Sequence, residues 1–419
     1  MMDETRMTST NISKQLPRRL LAGARHVYPG PLGVVPSFTQ ASGSEYFFVA
    51  SSSVRSSSRP ERVVQSPSAF CQKYTLALAL SCALLVSSAF ALSPANSTRS
   101  LQIYFIDVEG GQATLFVTPT GQSLLIDTGW PGNNNRDADR IVAAAHDAGI
   151  NKIDFVLITH YHDDHVGGAP QLAASIPIGT FIDHGENRET TDEITQKRWV
   201  AYQQLLSAGK YQRISAKPGD ILPVHGIRAK VISSDGALIE KPLSGAGQPN
   251  PACASSAQPP ADKTENPRSL GTLVTFGKLR ILDLGDLTSD KEHQLMCPVN
   301  KIGKVDIYIA SHHGFNQSGS AVFVHAIAPR VTIVDNGATK GGSSSALDII
   351  KSSPHLAALW QLHFSEEAGP AQNSSAEFIA NPPGPDAANY LKLTANRDGT
   401  FAIFNSRTKQ SQQYAALPR

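Results

Sequence analysis

Charge is sparse in this 419-residue chain: Asp, Glu, Lys and Arg together make up 17% of it. That is too little for a coiled coil. No Gly-X-Y period runs through the 32 glycines and 27 prolines, so a collagen-like chain is excluded and many turns are expected. One uncharged apolar run alone has membrane-relevant length, Tyr74 to Leu92, which excludes a polytopic membrane protein. A basic surface is missing as well. Met1 to Lys73 holds nine Lys/Arg against four Asp/Glu, which leaves 37 − 9 = 28 basic and 35 − 4 = 31 acidic residues for the rest. A body near −3 without a Lys/Arg stripe carries no strong footprint for nucleic acid. Neither a G-x-S-x-G elbow nor a phosphate-binding glycine loop occurs, so serine-hydrolase and nucleotide-loop chemistry have no anchor.

The apolar run follows Lys73 and contains Ala89-Phe90-Ala91, the small-x-small pattern of a signal-peptide cleavage site. Residues 73–91 are therefore expected to be a signal peptide, with an uncleaved anchor as the alternative and no other membrane contact. Residues 1–72, rich in Ser, Arg and Pro without an apolar period, read as a disordered or misassigned N-terminal extension. The product is expected to be exported, to the periplasm or the extracellular space. Processing reduces four cysteines to Cys253 and Cys297, and an even pair in an oxidising compartment most simply forms a disulfide.

From Leu101 the pattern is LQIYFIDV, Gly110-Gly111, ATLFVT, Thr120-Gly121, SLLIDTG, a meander of short strands. Helical spacing over Asp137–Ala148 stops at Gly149, and Ile153–Thr159 is a buried strand. A helix near Ala169–Ala174, the strand IGTFID and a helix over Thr191–Ala208 follow. The second half repeats the theme: Ile227–Ser233, Leu270–Leu284, a helix near Asp290–Met296, VDIYIAS and RVTIVDN. A hairpin turning at Arg397-Asp398-Gly399 closes the chain. Two strand-and-helix halves with no linker between them predict a single α/β domain over residues 101–415, with two sheets sandwiched by helices.

The chemistry concentrates in His160-Tyr161-His162-Asp163-Asp164-His165, directly after the buried strand and before Val166-Gly167-Gly168. Five potential ligands in six residues are not there for packing. At this spacing His160 and His162 can converge on one cation, with Asp164 and His165 displaced along the next turn toward a second. The H-x-H-x-D-H motif resembles the metallo-β-lactamase superfamily. FIDVEGGQATLFVTPTGQSLLIDTG, ENPRSLGTLVTFGKLRILDLGDLT and VDIYIASHHG extend the resemblance to the soluble hydrolase domain of competence-type DNA-uptake proteins.

That resemblance implies a four-layer αββα sandwich and two divalent metal ions, Zn²⁺ first with Mn²⁺ or Fe also admitted by His and carboxylate ligands. It implies that His160 and His162 hold the first metal, that Asp164 and His165 hold the second, and that Asp286 bridges them. Asp127 would orient the histidines. Of His312 and His313, His313 is favoured as the remaining ligand, with His312 as a phosphate-facing or acid/base group. His184, at the end of IGTFID, is either a further ligand or pocket wall. Trp130 and His363 are candidate substrate-binding residues. The implied reaction is hydrolysis by a metal-bridging hydroxide, with Asp164, His312 and Asp127 in the catalytic set. A phosphodiester is the leading substrate, small or from the cell envelope. A lactone, ester or β-lactam is the alternative, and a non-catalytic binding module is a third reading. Ser244–Pro267, with five prolines, is expected to form a wall or lid, and nothing in the sequence bears on oligomeric state.

Overall fold

The computed structural model describes residues 100–209 and 211–417. The 1–72 extension and the 73–91 segment lie outside the described residues. Among the described residues no helix is long and apolar enough to cross a membrane.

In chain order the strands are β1 (Leu101–Phe105), β2 (Thr114–Val117), β3 (Ser123–Ile126), β4 (Ile153–Leu157), β5 (Ile178–Asp183), β6 (Gln212–Ser215), β7 (Arg228–Ser234), β8 (Ala237–Leu238) and β9 (Gly271–Phe276). They continue as β10 (Leu279–Asp283), β11 (Ile307–Ile309), β12 (Val331–Val334), β13 (Ala358–His363), β14 (Ile379–Asn381), β15 (Leu391–Ala395), β16 (Phe401–Asn405) and β17 (Gln410–Tyr414). One sheet runs β17-β16-β15-β1-β2-β3-β4-β5-β6, antiparallel as far as β3 and parallel from β3 to β6. The other runs β14-β13-β12-β11-β10-β9-β7-β8, parallel to β10 and antiparallel beyond it. Each sheet thus has a parallel half whose strands end at a common edge.

Side chains alternate across a strand, and here both faces are covered. Ile103 and Phe105 of β1 point inward to meet Val231, Val274, Ile281 and Ile307 of the opposite sheet, while Tyr104 points outward. Outside the first sheet lie α1 (Arg136–Asp147), α2 (Asp163–Val166), α3 (Ala169–Ser175) and α4 (Glu193–Ser207). Outside the second lie α5 (Ser289–Met296), α6 (Ala321–Ile327) and α7 (Ser344–Lys351). The result is an αββα sandwich of four layers. In α1 the buried Ala138, Ile141, Ala144 and Ala145 form one stripe, Asp137 and Asp139 complement the N-terminal dipole, and Gly149 at φ 78° ends the run. In α4, Asp192 caps the first turn by accepting from the Thr195 N–H at 2.7 Å.

Two sequence expectations change. Leu270–Leu284 is not one strand but the hairpin β9–β10, broken at Gly277, whose φ of 58° suits glycine. Ser244–Pro267 is no free-standing lid. Its first part lines an 880 Å³ cavity with Lys304, Arg330 and His355, at the edge where β11 and β12 begin, and in its last part Glu265 reaches His184 Nε2 and, through its N–H, Glu189, both at 2.9 Å. A Cys253–Cys297 disulfide with Cα atoms 5.7 Å apart ties this loop to the end of α5. The sequence separation is 44 residues, and closing such a loop in the unfolded chain is worth about 4 kcal/mol in the chain-entropy model. Reduction is therefore expected to lower the unfolding free energy by that order in a urea titration; a change below about 1 kcal/mol would show that the bridge does not constrain the unfolded chain.

Candidate metal centre

The parallel halves of both sheets deliver their strand ends to one place. Asp127 follows β3, the histidine motif follows β4, His184 follows β5, Asp286 follows β10, and His312-His313 follow β11. Open α/β sheets collect ligands at such carboxyl ends. Gly285 sets the approach of Asp286: it sits at φ 55°, and a Cβ there would lie 2.8 Å from Cβ of Thr159.

Four buried groups converge, Asp164, His165, Asp286 and His313. His165 Nε2 lies 3.1 Å from His313 Nε2, 3.2 Å from Asp164 Oδ2 and 3.3 Å from Asp286 Oδ2. His313 Nε2 lies 3.1 Å from Asp164 Oδ2 and 3.4 Å from Asp286 Oδ1. A tetrahedral ion with ligands at about 2.0–2.1 Å requires ligand–ligand edges of about 3.3 Å. His165 Nε2, His313 Nε2 and Asp164 Oδ2 form one such face at 3.1–3.2 Å, and the two oxygens of Asp286 approach it separately, Oδ2 toward His165 and Oδ1 toward His313. Beside them His160 Nε2 and His162 Nδ1 face each other at 3.0 Å, with Asp286 Oδ2 3.9 Å from the former. Asp286 therefore stands between the two groups, and His312 Nε2 is 3.5 Å from the same oxygen.

Electrostatics describe a site that wants positive charge. Burial opposes ionisation of Asp164 and Asp286, yet Lys340 and His165 on the first, and His165, His313 and His312 on the second, hold both carboxyls well below their ordinary range. Burial likewise disfavours a charged His165, but Asp286, Asp164 and Asp127 outweigh it and raise its pKa far above normal. His313 is held up at about 10 by Asp286, Asp335 and Asp164 against burial and Lys340. The carboxylates around these two rings thus favour positive charge between them, and a divalent cation there would require both rings to bind it in neutral form. Asp286 Oδ1 has no hydrogen-bond partner among the described residues, an orphan that a cation satisfies. His160 is kept neutral by burial and by His165 and His162, as a ligand must be, and burial pushes His312 down to about 4.

Each ring is oriented from behind. Asp127 Oδ2 accepts from His165 Nδ1 at 2.7 Å and from the Thr159 hydroxyl at 2.6 Å, while its Oδ1 accepts from the Thr159 N–H at 2.8 Å. The Thr159 hydroxyl also lies 3.1 Å from His160 Nδ1, and Glu189 takes His162 Nε2 at 2.9 Å. Asp335 lies 3.5 Å from His313 Nδ1. His312 and His313 both adopt left-handed backbone, at φ 55° and 53°, an arrangement that costs energy and is kept where the surroundings demand it.

Two expected residues are placed elsewhere. His184 is buried outside the converging group; its Nε2 is 2.9 Å from Glu265 Oε2, and its ring packs on Tyr161. His363 does not line the site: it is buried against Asp107 at 2.7 Å. Asp107, Glu109 and His363 approach one another closely, but Asp107 is already neutralised by Arg140 at 3.0 Å, so this is an ion-pair network rather than an open ligand set. Trp130 does stand at the mouth, half-buried beside Lys340. Sequence reasoning missed Glu189, Glu265 and Lys340. Glu265 lies in the quoted ENPRSLG segment, whereas Glu189 and Lys340 sit in loops without a motif.

Comparison with known proteins places this geometry. The Metallo-beta-lactamase superfamily model matches residues 107–247. Recombination protein 2 of Haemophilus influenzae is 24% identical over 248 residues, 58% of this chain and 25% of that protein. Hydroxyacylglutathione hydrolase of Stenotrophomonas maltophilia is 36% identical over 105 residues, 25% of this chain and 37% of that protein. The chain thus spans 25% and 37% of the length of these two curated relatives. Among solved structures, the metallo-beta-lactamase fold protein YhfI from Bacillus subtilis aligns at a TM-score of 0.39 and 12% identity, over 62% of this chain and 96% of that one. Over residues 107–247 the chain thus matches the Metallo-beta-lactamase superfamily, and its two mixed sheets, its helical outer layers and its histidine–aspartate cluster agree with that match.

Proposed function

We propose that this protein is an exported metal-dependent hydrolase that binds two divalent cations, Zn²⁺ first, and cleaves a phosphodiester. The observation that carries the reading is the face of three 3.1–3.2 Å distances among His165 Nε2, His313 Nε2 and Asp164 Oδ2, with the two Asp286 oxygens 3.3 and 3.4 Å from its ring nitrogens. Those four would hold one ion, and His160, His162 and Asp286 the other. When bound, the pair supplies an activated water near neutral pH and neutralises charge on the scissile group. The chain's own residues do the rest. Asp127, Thr159 and Glu189 fix the ring orientations, and the buried His312 holds a ring nitrogen 3.5 Å from Asp286 Oδ2. The phosphodiester assignment is supported by the SHHG segment and the opening strands, and the partner is a small or cell-envelope substrate rather than nucleic acid.

The test is a substrate screen on the metal-loaded protein, comparing an aryl phosphodiester with a lactone, a thioester and a β-lactam. Faster turnover of the diester is expected; a preference for any of the others would replace the substrate class, and full metal occupancy with no turnover would favour a binding module. Export is checked separately. N-terminal sequencing of secreted or periplasmic material is expected to begin at Leu92, and a chain that retains Tyr74–Leu92 would be anchored instead.

A further inference from the structure

Lys340 lies in the loop after β12, and no motif marks it. The loop is pressed onto the metal centre: Gly341, at φ 77°, comes so near that a Cβ there would fall 2.3 Å from the His313 carbonyl oxygen, and the Gly342 N–H donates to that oxygen at 2.8 Å. This fixes where the lysine starts. Its ammonium donates to the Gly110 carbonyl at 2.7 Å and to Asp164 Oδ2. An ammonium has three donors, so one remains. Aromatic rings flank it on two sides, Trp130 with its centroid 5.3 Å from Nζ and Phe315 at 5.8 Å. Both rings are half-buried, and the Lys340 side chain keeps 26% of its surface exposed. The indole N–H of Trp130 donates to no acceptor among the described residues, although its backbone is pinned by Asp137 at 2.8 Å. Phe315 in turn stacks edge-on against His312 at 5.2 Å.

A cation with a spare donor, a second unspent N–H and an open aromatic face therefore sit together at the Asp164 corner of the cluster. A lysine needed merely as a counter-ion for Asp164 would not require two partly exposed rings around it. We propose that Lys340 and the Trp130 indole N–H form an anion-binding subsite. It takes a charged, non-scissile oxygen of an organic phosphodiester, while the substrate's flat aromatic group lies on Phe315. This deepens the hydrolase reading and rests on it for the position of the scissile bond. It assigns the substrate class: a phosphodiester carrying an aromatic or heteroaromatic group. Ring–cation contacts hold the lysine pre-organised, and a charge-assisted hydrogen bond supplies the selectivity.

The experiment titrates phenylphosphonate into the metal-loaded full-length protein by calorimetry and measures metal per chain alongside. Lys340→Gln, whose amide can still donate to Asp164, is expected to weaken binding roughly 10- to 100-fold, the size of one lost charge-assisted hydrogen bond, with metal per chain unchanged at saturating metal. Trp130→Phe, which keeps the ring and removes the donor, is expected to weaken it by a smaller factor. Phe315→Leu should narrow the preference for phenylphosphonate over methylphosphonate. Wild-type protein that fails to bind phenylphosphonate, binding in Lys340→Gln within twofold of wild type, or loss of a metal ion in that variant would each overturn the subsite. If the wild type hydrolyses no ester and these shifts still appear, the proposed reaction falls and the subsite stands.

Discussion

Asp286→Ala is expected to release metal and abolish turnover together. Among the described residues Asp286 is the one carboxylate in contact with both groups of ligands, 3.3 Å from His165, 3.4 Å from His313, 3.5 Å from His312 and 3.9 Å from His160. Two divalent ions held without a shared anion repel each other, and neither retains a complete ligand set. Metal per chain should fall from two toward one or none, with activity reduced roughly 10³-fold or more, as several kcal/mol of charge stabilisation disappears. The fold should survive, because the sheets that deliver Asp286 are held by the inter-sheet core rather than by the ion. Elemental analysis and circular dichroism on the same sample check this. A variant that kept two tightly held ions and near-normal rates would remove Asp286 from the bridging position.

Asp127→Ala should act from behind the site. Asp127 is fully buried and accepts three hydrogen bonds, from the Thr159 N–H, the Thr159 hydroxyl and His165 Nδ1. Removing it strands those donors in the interior, at a cost of about 2–4 kcal/mol in unfolding free energy. It also frees the His165 ring to turn. Losing such a partner behind a ligand weakens metal affinity roughly 10- to 100-fold. Both effects should appear in one variant, read by urea unfolding of the apo protein and by metal titration. Unchanged affinity despite the stability loss would leave Asp127 a structural acid and nothing more.

The strands that matter most are the ones whose apolar runs end in a polar cluster, and these were legible. Ile153–Leu157 into the histidine motif, Ser123–Ile126 into Asp127, and Leu279–Asp283 into Asp286 each juxtapose a buried strand with residues that packing does not explain. Periodicity also located α1 and α4. What escaped has a common cause. His184 sits at a strand end like the converging residues, and only the fold shows that its Nε2 turns to Glu265, 81 residues away, while its Nδ1 is buried without a partner among the described residues. His363 behaves alike, since Asp107 lies 256 residues before it. Lys340 needs the closest reading of all: a lone lysine among glycines has no period and no motif, and its meaning comes from Asp164, Trp130 and Phe315, which the fold alone brings to it. The second strand of the β9–β10 hairpin was hidden for a local reason, because one Gly-Lys turn inside a continuous apolar run resembles an uninterrupted strand.

In the proposed centre, two clusters of ligands on facing strand ends would hold two divalent ions through one shared carboxylate. Zinc-edge X-ray absorption on the protein purified without chelators, combined with elemental analysis, measures this most directly. Two ions per chain are expected, each in a shell of nitrogen and oxygen at about 2.0–2.2 Å that includes imidazole. A protein that binds no divalent metal when loaded, or one that binds it without histidine nitrogen in the shell, would contradict it.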